Sequence, residues 1–212
     1  MQFFVNEIDS SLSGVRVAEV SGFAEADDVL LLEEEQLRPI GIQYVFCKVP
    51  AERTALVHSL EDAGYRFSEF QIFLRHTLKA RPDVSQYPYV YVPINDVRLQ
   101  DYARGLAGSI FQHDRYSHDP VFPESFSGLR YQAYFDKSMQ ADDERAYVMI
   151  NTVTKEPVSF ATRRIISDRE SRLRIGWVDS RYSGCGLGVI HDHVNMARYY
   201  DRHTLTSRMP DP

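Results

Sequence analysis

Three runs, AYVMINTV (Ala146–Val153), VSFATRRIIS (Val158–Ser167) and LRIGWVD (Leu173–Asp179), follow one another with only TKEP (Thr154–Pro157) and DRES (Asp168–Ser171) between them. Short runs rich in β-branched and aromatic residues, bounded by turn residues, predict strands. A parallel return needs a crossover of about a dozen residues or more, which gaps this short cannot hold. The stretch therefore predicts an antiparallel three-stranded meander.

The meander runs into Arg181-Tyr182-Ser183-Gly184-Cys185-Gly186-Leu187-Gly188, and an apolar helical run is expected from Gly188 to about Arg202. Glycines let a backbone approach a ligand closely and adopt conformations closed to other residues. A helix opening there would aim its unpaired N–H groups and the positive end of its dipole into the turn. Arg181 would add a forked cation suited to phosphate oxygens. A P-loop would need Gly-Lys-Ser/Thr, which is missing. A dinucleotide fingerprint would need a longer last interval and a parallel βαβ setting.

Upstream, Tyr89–Ile94 reads as a strand, and Asn95-Asp96 as the cap of a helix carrying Leu99, Tyr102, Ala103, Leu106 and Ile110. A loop from Gln112 to Pro123 and a helix from Ser125 to Met139 lead to the meander. Ala80–Pro88, with two prolines and no periodicity, is the best linker in the chain. It divides the chain into a small N-terminal α/β domain, 1–82, and a second domain, 83–212. The first is expected to hold strands at Val15–Val20, Tyr44–Val49 and Arg66–Leu78. Its helices are expected over Ala26–Gln36 and from Pro50 to Gly64.

The chain has 212 residues, of which 43% are hydrophobic, enough for a real core. Its formal net charge of −6 argues against nucleic acid as a partner, although short-range contacts can still hold a small anion. Two cysteines, Cys47 and Cys185, imply neither a disulfide framework nor a structural metal. The first residues lack a secretory leader pattern and no run approaches a membrane span, so a cytoplasmic location is expected.

Arg181-x-x-Gly184-x-Gly186, after a strand and opening a helix, resembles the pyrophosphate signature of the GNAT superfamily of N-acetyltransferases. The element order from Tyr89 onward is similar too. The resemblance implies a GNAT-like, mostly antiparallel mixed sheet flanked by helices, and acetyl-CoA as acyl donor. It assigns the pantetheine contact to Val178 and the phosphate contacts to Arg181, Ser183, Gly184, Cys185, Gly186, Leu187 and Gly188. An N–H near Trp177 and Val178 would polarise the thioester carbonyl. The phrases Val45–Pro50, Leu60–Tyr65 and Ile110–Phe122 look similar to two-domain members of the dTDP-fucosamine acetyltransferase type, which implies a small-molecule amine acceptor on an amino sugar nucleotide.

Within this frame the general-base candidates are Asp179, at the strand end, and His113, with Asp114, His118 and Asp119 in the same loop. Asp179 equally suits a residue that bonds the turn backbone, and a polar-loop histidine equally suits plain solvation. Arg115, Tyr116 and Tyr131 are the candidates for holding the acceptor. His191 and His193 do not share a helix face, so no metal site is expected. Cys185 reads as a small loop filler. Members of the superfamily continue past this helix with further strands and a tyrosine acid, which His203–Pro212 does not match. An uncovered sheet edge, and from it a homodimer or a poorly soluble monomer, is therefore expected. The function expected is an N-acetyltransferase. The alternatives are a non-catalytic acyl-CoA-binding or regulatory protein, and a nucleotide-binding domain with parallel strands before Arg181.

Overall fold

The computed structural model describes residues 1–69, 71, 77, 79–110, 114–117, 119–168 and 170–206, without side-chain detail for 110 and 201–206. The chain divides into two compact units: Met1–Ile72 with His113–Arg130, and Phe73–Gln112 with Tyr131–Pro212. The segment 113–130, expected within the second domain, thus groups with the first unit.

In the first unit β1 (Gln2–Val5), β2 (Val17–Ser21) and β3 (Tyr44–Lys48) form a sheet in the order β1-β2-β3, antiparallel then parallel. α1 (Glu7–Ser13) joins β1 to β2, and the Asn6 side chain accepts from the Asp9 backbone N–H at 3.0 Å to start it. The parallel pairing requires a crossover, which α2 (Ala26–Leu32) supplies, widened at its end into a π turn over Glu33–Leu37. Ala18, Val20, Val29, Leu32, Leu56 and Leu60 share one buried cluster, so the face of the sheet bearing Ala18 and Val20 is covered by α2 and α3 (Thr54–Asp62). Val17 and Phe46 pack instead with Tyr116, Phe122 and Phe126, whose rings stand 4.7–5.1 Å apart. That aromatic cluster draws 114–126 into this unit, since burying each large ring contributes about 1.5–3 kcal/mol.

β1 and α1 were not anticipated. α3 starts at Thr54 rather than at Pro50, because the Pro50 carbonyl is taken by the Arg53 N–H of a separate turn. Of the strand expected over 66–78, residues 66–69 are irregular, and 70, 72–76 and 78 lie outside the described residues.

In the second unit the sheet runs β4 (Tyr89–Pro93), β5 (Glu144–Asn151), β6 (Pro157–Ile165), β7 (Ser171–Val178), with every neighbour antiparallel. The meander is thus as expected, and parallel strands before Arg181 are excluded. α4 (Val97–Ile110) is capped by Asp96, whose carboxylate accepts from Leu99 N–H at 2.9 Å. Leu99, Ala103, Leu106 and Ala107 of α4 and Phe135 of α5 (Phe126–Gln140) bury Val148, Phe160 and Ile175 on one sheet face. On the other face Tyr91, Tyr147, Met149, Val158 and Ala161 meet Leu187 and Val194 of α6 (Leu187–Thr206). Among the described residues no helix is long and apolar enough to cross a membrane.

Candidate functional site

β7 ends at Val178, and the chain passes through Asp179, a 3₁₀ turn over Ser180–Tyr182 and the glycines into α6. Gly184 and Gly186 have φ of 77° and 68°, a region that L side chains enter at a cost, so these two glycines shape the turn. A Cβ added at 184, 186 or 188 would meet nothing within 4 Å. The space a side chain would fill at these positions is open, and close internal packing is not what requires glycine there.

Asp179 fastens the turn. One carboxylate oxygen accepts the Arg181 backbone N–H at 2.9 Å, and the other accepts Arg181 Nε and Nη2 at 3.0 and 2.7 Å. The Tyr102 hydroxyl on α4 donates to that second oxygen at 3.4 Å. Hydrogen bonds from Arg181 hold the Asp179 carboxyl below the usual carboxylate range. Burial, and then the Asp179 charge, push the Tyr102 phenol upward. Such an aspartate is a weak proton acceptor. Arg181 remains 60% exposed, with donors still facing solvent.

Leu187, expected at the phosphates, is buried in the cluster beneath the turn and anchors the first residue of α6. Ser183 is extended, and its N–H is taken by the Ser180 carbonyl at 3.0 Å. Cys185 is an exposed free thiol 3.8 Å from the Ser183 carbonyl. Around the start of α6, Cys185 N–H is engaged by Tyr182 O at 3.4 Å and Val189 N–H by Gly186 O at 3.2 Å, and helix geometry leaves the first amides of the helix without intrahelical partners.

The β7 backbone adds two donors. Asp179 N–H bonds to Val158 O, and Val178 sits opposite Ser159. Alternation along an antiparallel strand then turns the N–H groups of Val178 and Gly176 away from β6, toward an edge that no other strand of the described residues occupies.

One turn into α6 lies a buried group of three. His191 Nδ1 is 2.5 Å from the Tyr91 hydroxyl on β4 and 3.0 Å from the Ser159 hydroxyl on β6. Burial pulls the His191 pKa down to about 4. From the sequence His191 stands out only as a metal ligand beside His193; its partners lie on two distant strands that no spacing rule connects. Tyr102 reads from the sequence only as an apolar position of α4. Gly176 carried a readable signal, a glycine inside a strand beside the proposed carbonyl donor.

The expected acceptor residues fall in both units. Arg115 and Tyr116 belong to the first unit and Tyr131 to the second. Arg115 pairs with Glu69 at 3.1 Å and stacks 3.9 Å over the Phe46 ring. Tyr116 is 1% exposed and its hydroxyl donates to Asp9 at 2.6 Å, so it packs as a core residue of the first unit. Tyr131 packs against the α4–α5 cluster. Asp114 is used by Ser117 and Ser127, and Asp119 accepts from Tyr44 at 2.8 Å. His113 and His118 lie outside the described residues. No group of residues able to hold a metal ion occurs among those described.

No known protein family matches the chain, and no curated protein matches it in sequence.

Proposed function

We propose that the second unit binds acyl-CoA at the β7–α6 turn and acts as an N-acetyltransferase of GNAT type on a small-molecule amine. The observation carrying this reading is the turn: two left-handed glycines, open space where side chains at 184, 186 and 188 would stand and the amides at the start of α6, at the end of an antiparallel edge strand. These features fit a pyrophosphate, which backbone N–H groups and an arginine can bind without a metal. Arg181, Gly184, Gly186 and Gly188 would hold the phosphates, with Ser183, Cys185 and Leu187 shaping the turn. The β7 edge at Gly176 and Val178 would receive the pantetheine arm. Acetyl-CoA supplies an acetyl group as a thioester. The outward N–H groups of Val178 and Gly176 are donors of the kind that stabilise negative charge on a carbonyl oxygen. The acceptor must reach the site as a free amine, and an amino sugar nucleotide is the class the sequence resemblance suggests.

A second reading is a non-catalytic acyl-CoA-binding or regulatory protein, favoured by the Asp179–Arg181 clasp. It ties up the carboxylate best placed to take a proton. Calorimetry of the intact protein with acetyl-CoA tests what the two readings share: no binding by folded protein overturns both. Free thiol released in a screen of amines, including amino sugar nucleotides, establishes the first reading. Binding without release establishes the second.

A further inference from the structure

α2 does not stop on an ordinary cap. It widens into the π turn, Arg38 N–H donating to Glu33 O at 2.8 Å, and the chain reverses through Gly41 (φ 78°) so that Ile42 N–H reaches Leu37 O at 3.0 Å. π turns are uncommon and concentrate at functional sites. The reversal leaves a pocket of about 230 Å³ in the first unit, floored by Leu37, Ile42 and Val45 and rimmed by Glu33, Arg38, Gln43 and Tyr65. That is below the ~300 Å³ at which drug-sized sites begin, and too small for a nucleotide.

Each polar group on the rim has bonding capacity to spare. Glu33 and Arg38 sit on the same turn and feel each other's charge, yet neither closes an ion pair among the described residues. The Gln43 carbonyl accepts from Arg16 N–H at 3.1 Å, which leaves its amide nitrogen as a donor. The Tyr65 hydroxyl is buried and has no hydrogen-bond partner among the described residues.

We propose that this pocket binds a small α-amino acid, its ammonium on Glu33 and its carboxylate on Arg38 and Gln43, with Tyr65 as part of the wall. An anion alone would be repelled by Glu33, and a cation alone would leave Arg38 and Gln43 unused. A zwitterion satisfies both ends and places a short side chain over Leu37, Ile42 and Val45. Burial raises the Glu33 carboxyl above its ordinary value, and an incoming ammonium would offset that penalty on the carboxylate. The inference concerns the first unit alone and stands whether or not the second unit binds acyl-CoA.

The test is a ¹H–¹⁵N titration of the full chain with L-alanine, L-valine and L-glutamine, and with the matching amines and acids that lack one of the two charges. Saturable shifts in Glu33–Arg38 and Ile42–Val45 are expected for at least one amino acid, with its one-charge analogues at least about tenfold weaker. Glu33→Gln and Arg38→Gln should each weaken binding about tenfold or more while keeping the native spectrum. The proposal is overturned if no amino acid shifts these amides up to about 10 mM. It is also overturned if the single-charge analogues, or either variant, bind as well.

Discussion

Asp179 and Arg181 hold each other across a single intervening residue, one carboxylate taking both the backbone N–H and the guanidinium of its neighbour. The pair has two consequences: it fixes the approach to the glycine turn, and it lowers the affinity of Asp179 for a proton. Asp179→Asn should cost about 1 kcal/mol at neutral pH. Because the folded-state pKa is depressed, the stabilisation is complete above the unfolded carboxylate value, about pH 4, and is lost as pH falls through the lower folded value. Thermal melts of both proteins from neutral pH downward should converge at the acid end. A gap that stays constant into acid would contradict the clasp.

Gly184→Ala and Gly186→Ala should each destabilise by about 1 kcal/mol, because both residues need a left-handed backbone. Gly188→Ala, in helical conformation with open space around it, should leave stability unchanged or raise it by up to about 1 kcal/mol. If the amides here hold a pyrophosphate, Gly188→Ala still weakens acetyl-CoA in calorimetry. Unchanged affinity would remove residue 188 from the site.

His191 should make stability pH-dependent in a window of its own. Its pKa falls from 6.5 to about 4 on folding, so in that interval the unfolded chain binds a proton that the folded chain refuses. Stability contributed by the neutral ring is full above pH 6.5 and declines toward pH 4, by an amount on the order of 3 kcal/mol. His191→Gln should flatten that part of the curve in urea titrations at stepped pH. A wild-type slope equal to that of the variant would show that the ring titrates normally.

Within the first unit the buried pair Asp9–Arg130, at 2.8 Å, carries a stability prediction. Asp9→Ala removes the 2.8 Å partner of the buried Arg130 guanidinium, leaving Asp114 at 3.7 Å, and should cost about 3 kcal/mol, read as a fall in urea midpoint. Tyr116→Phe removes only the hydroxyl donor to Asp9 and should cost about 1–2 kcal/mol. Equal losses for the two variants would mean that Asp114 takes over the Arg130 charge.

Much of the second unit was legible in the sequence because its signals are local. The gaps at 154–157 and 168–171 leave no room for anything but hairpins, and the cap at Asp96 acts within three residues. The first unit hid more. Four residues, Gln2–Val5, make a strand only because β2 lies beside them, and their alternation of exposed and half-buried positions is too short to stand out. Tyr116 sits in a polar loop whose composition suggests solvent, yet Phe122 and Phe126 close over it. At the candidate site the glycines were readable, while the Asp179 clasp and the Tyr91–His191–Ser159 group depend on side-chain placement that periodicity does not encode.

The contribution of 113–130 to the first unit has a consequence for synthesis. A ribosome that has released the first seventy-odd residues has made a sheet whose second face still lacks Tyr116, Phe122 and Phe126, and a carboxylate at Asp9 whose cation has not been translated. The N-terminal unit therefore cannot finish folding first, as a domain encoded in one continuous stretch usually does. Its completion waits for α5 to leave the exit tunnel, and until then the nascent chain presents an apolar strand surface that a holding chaperone would recognise.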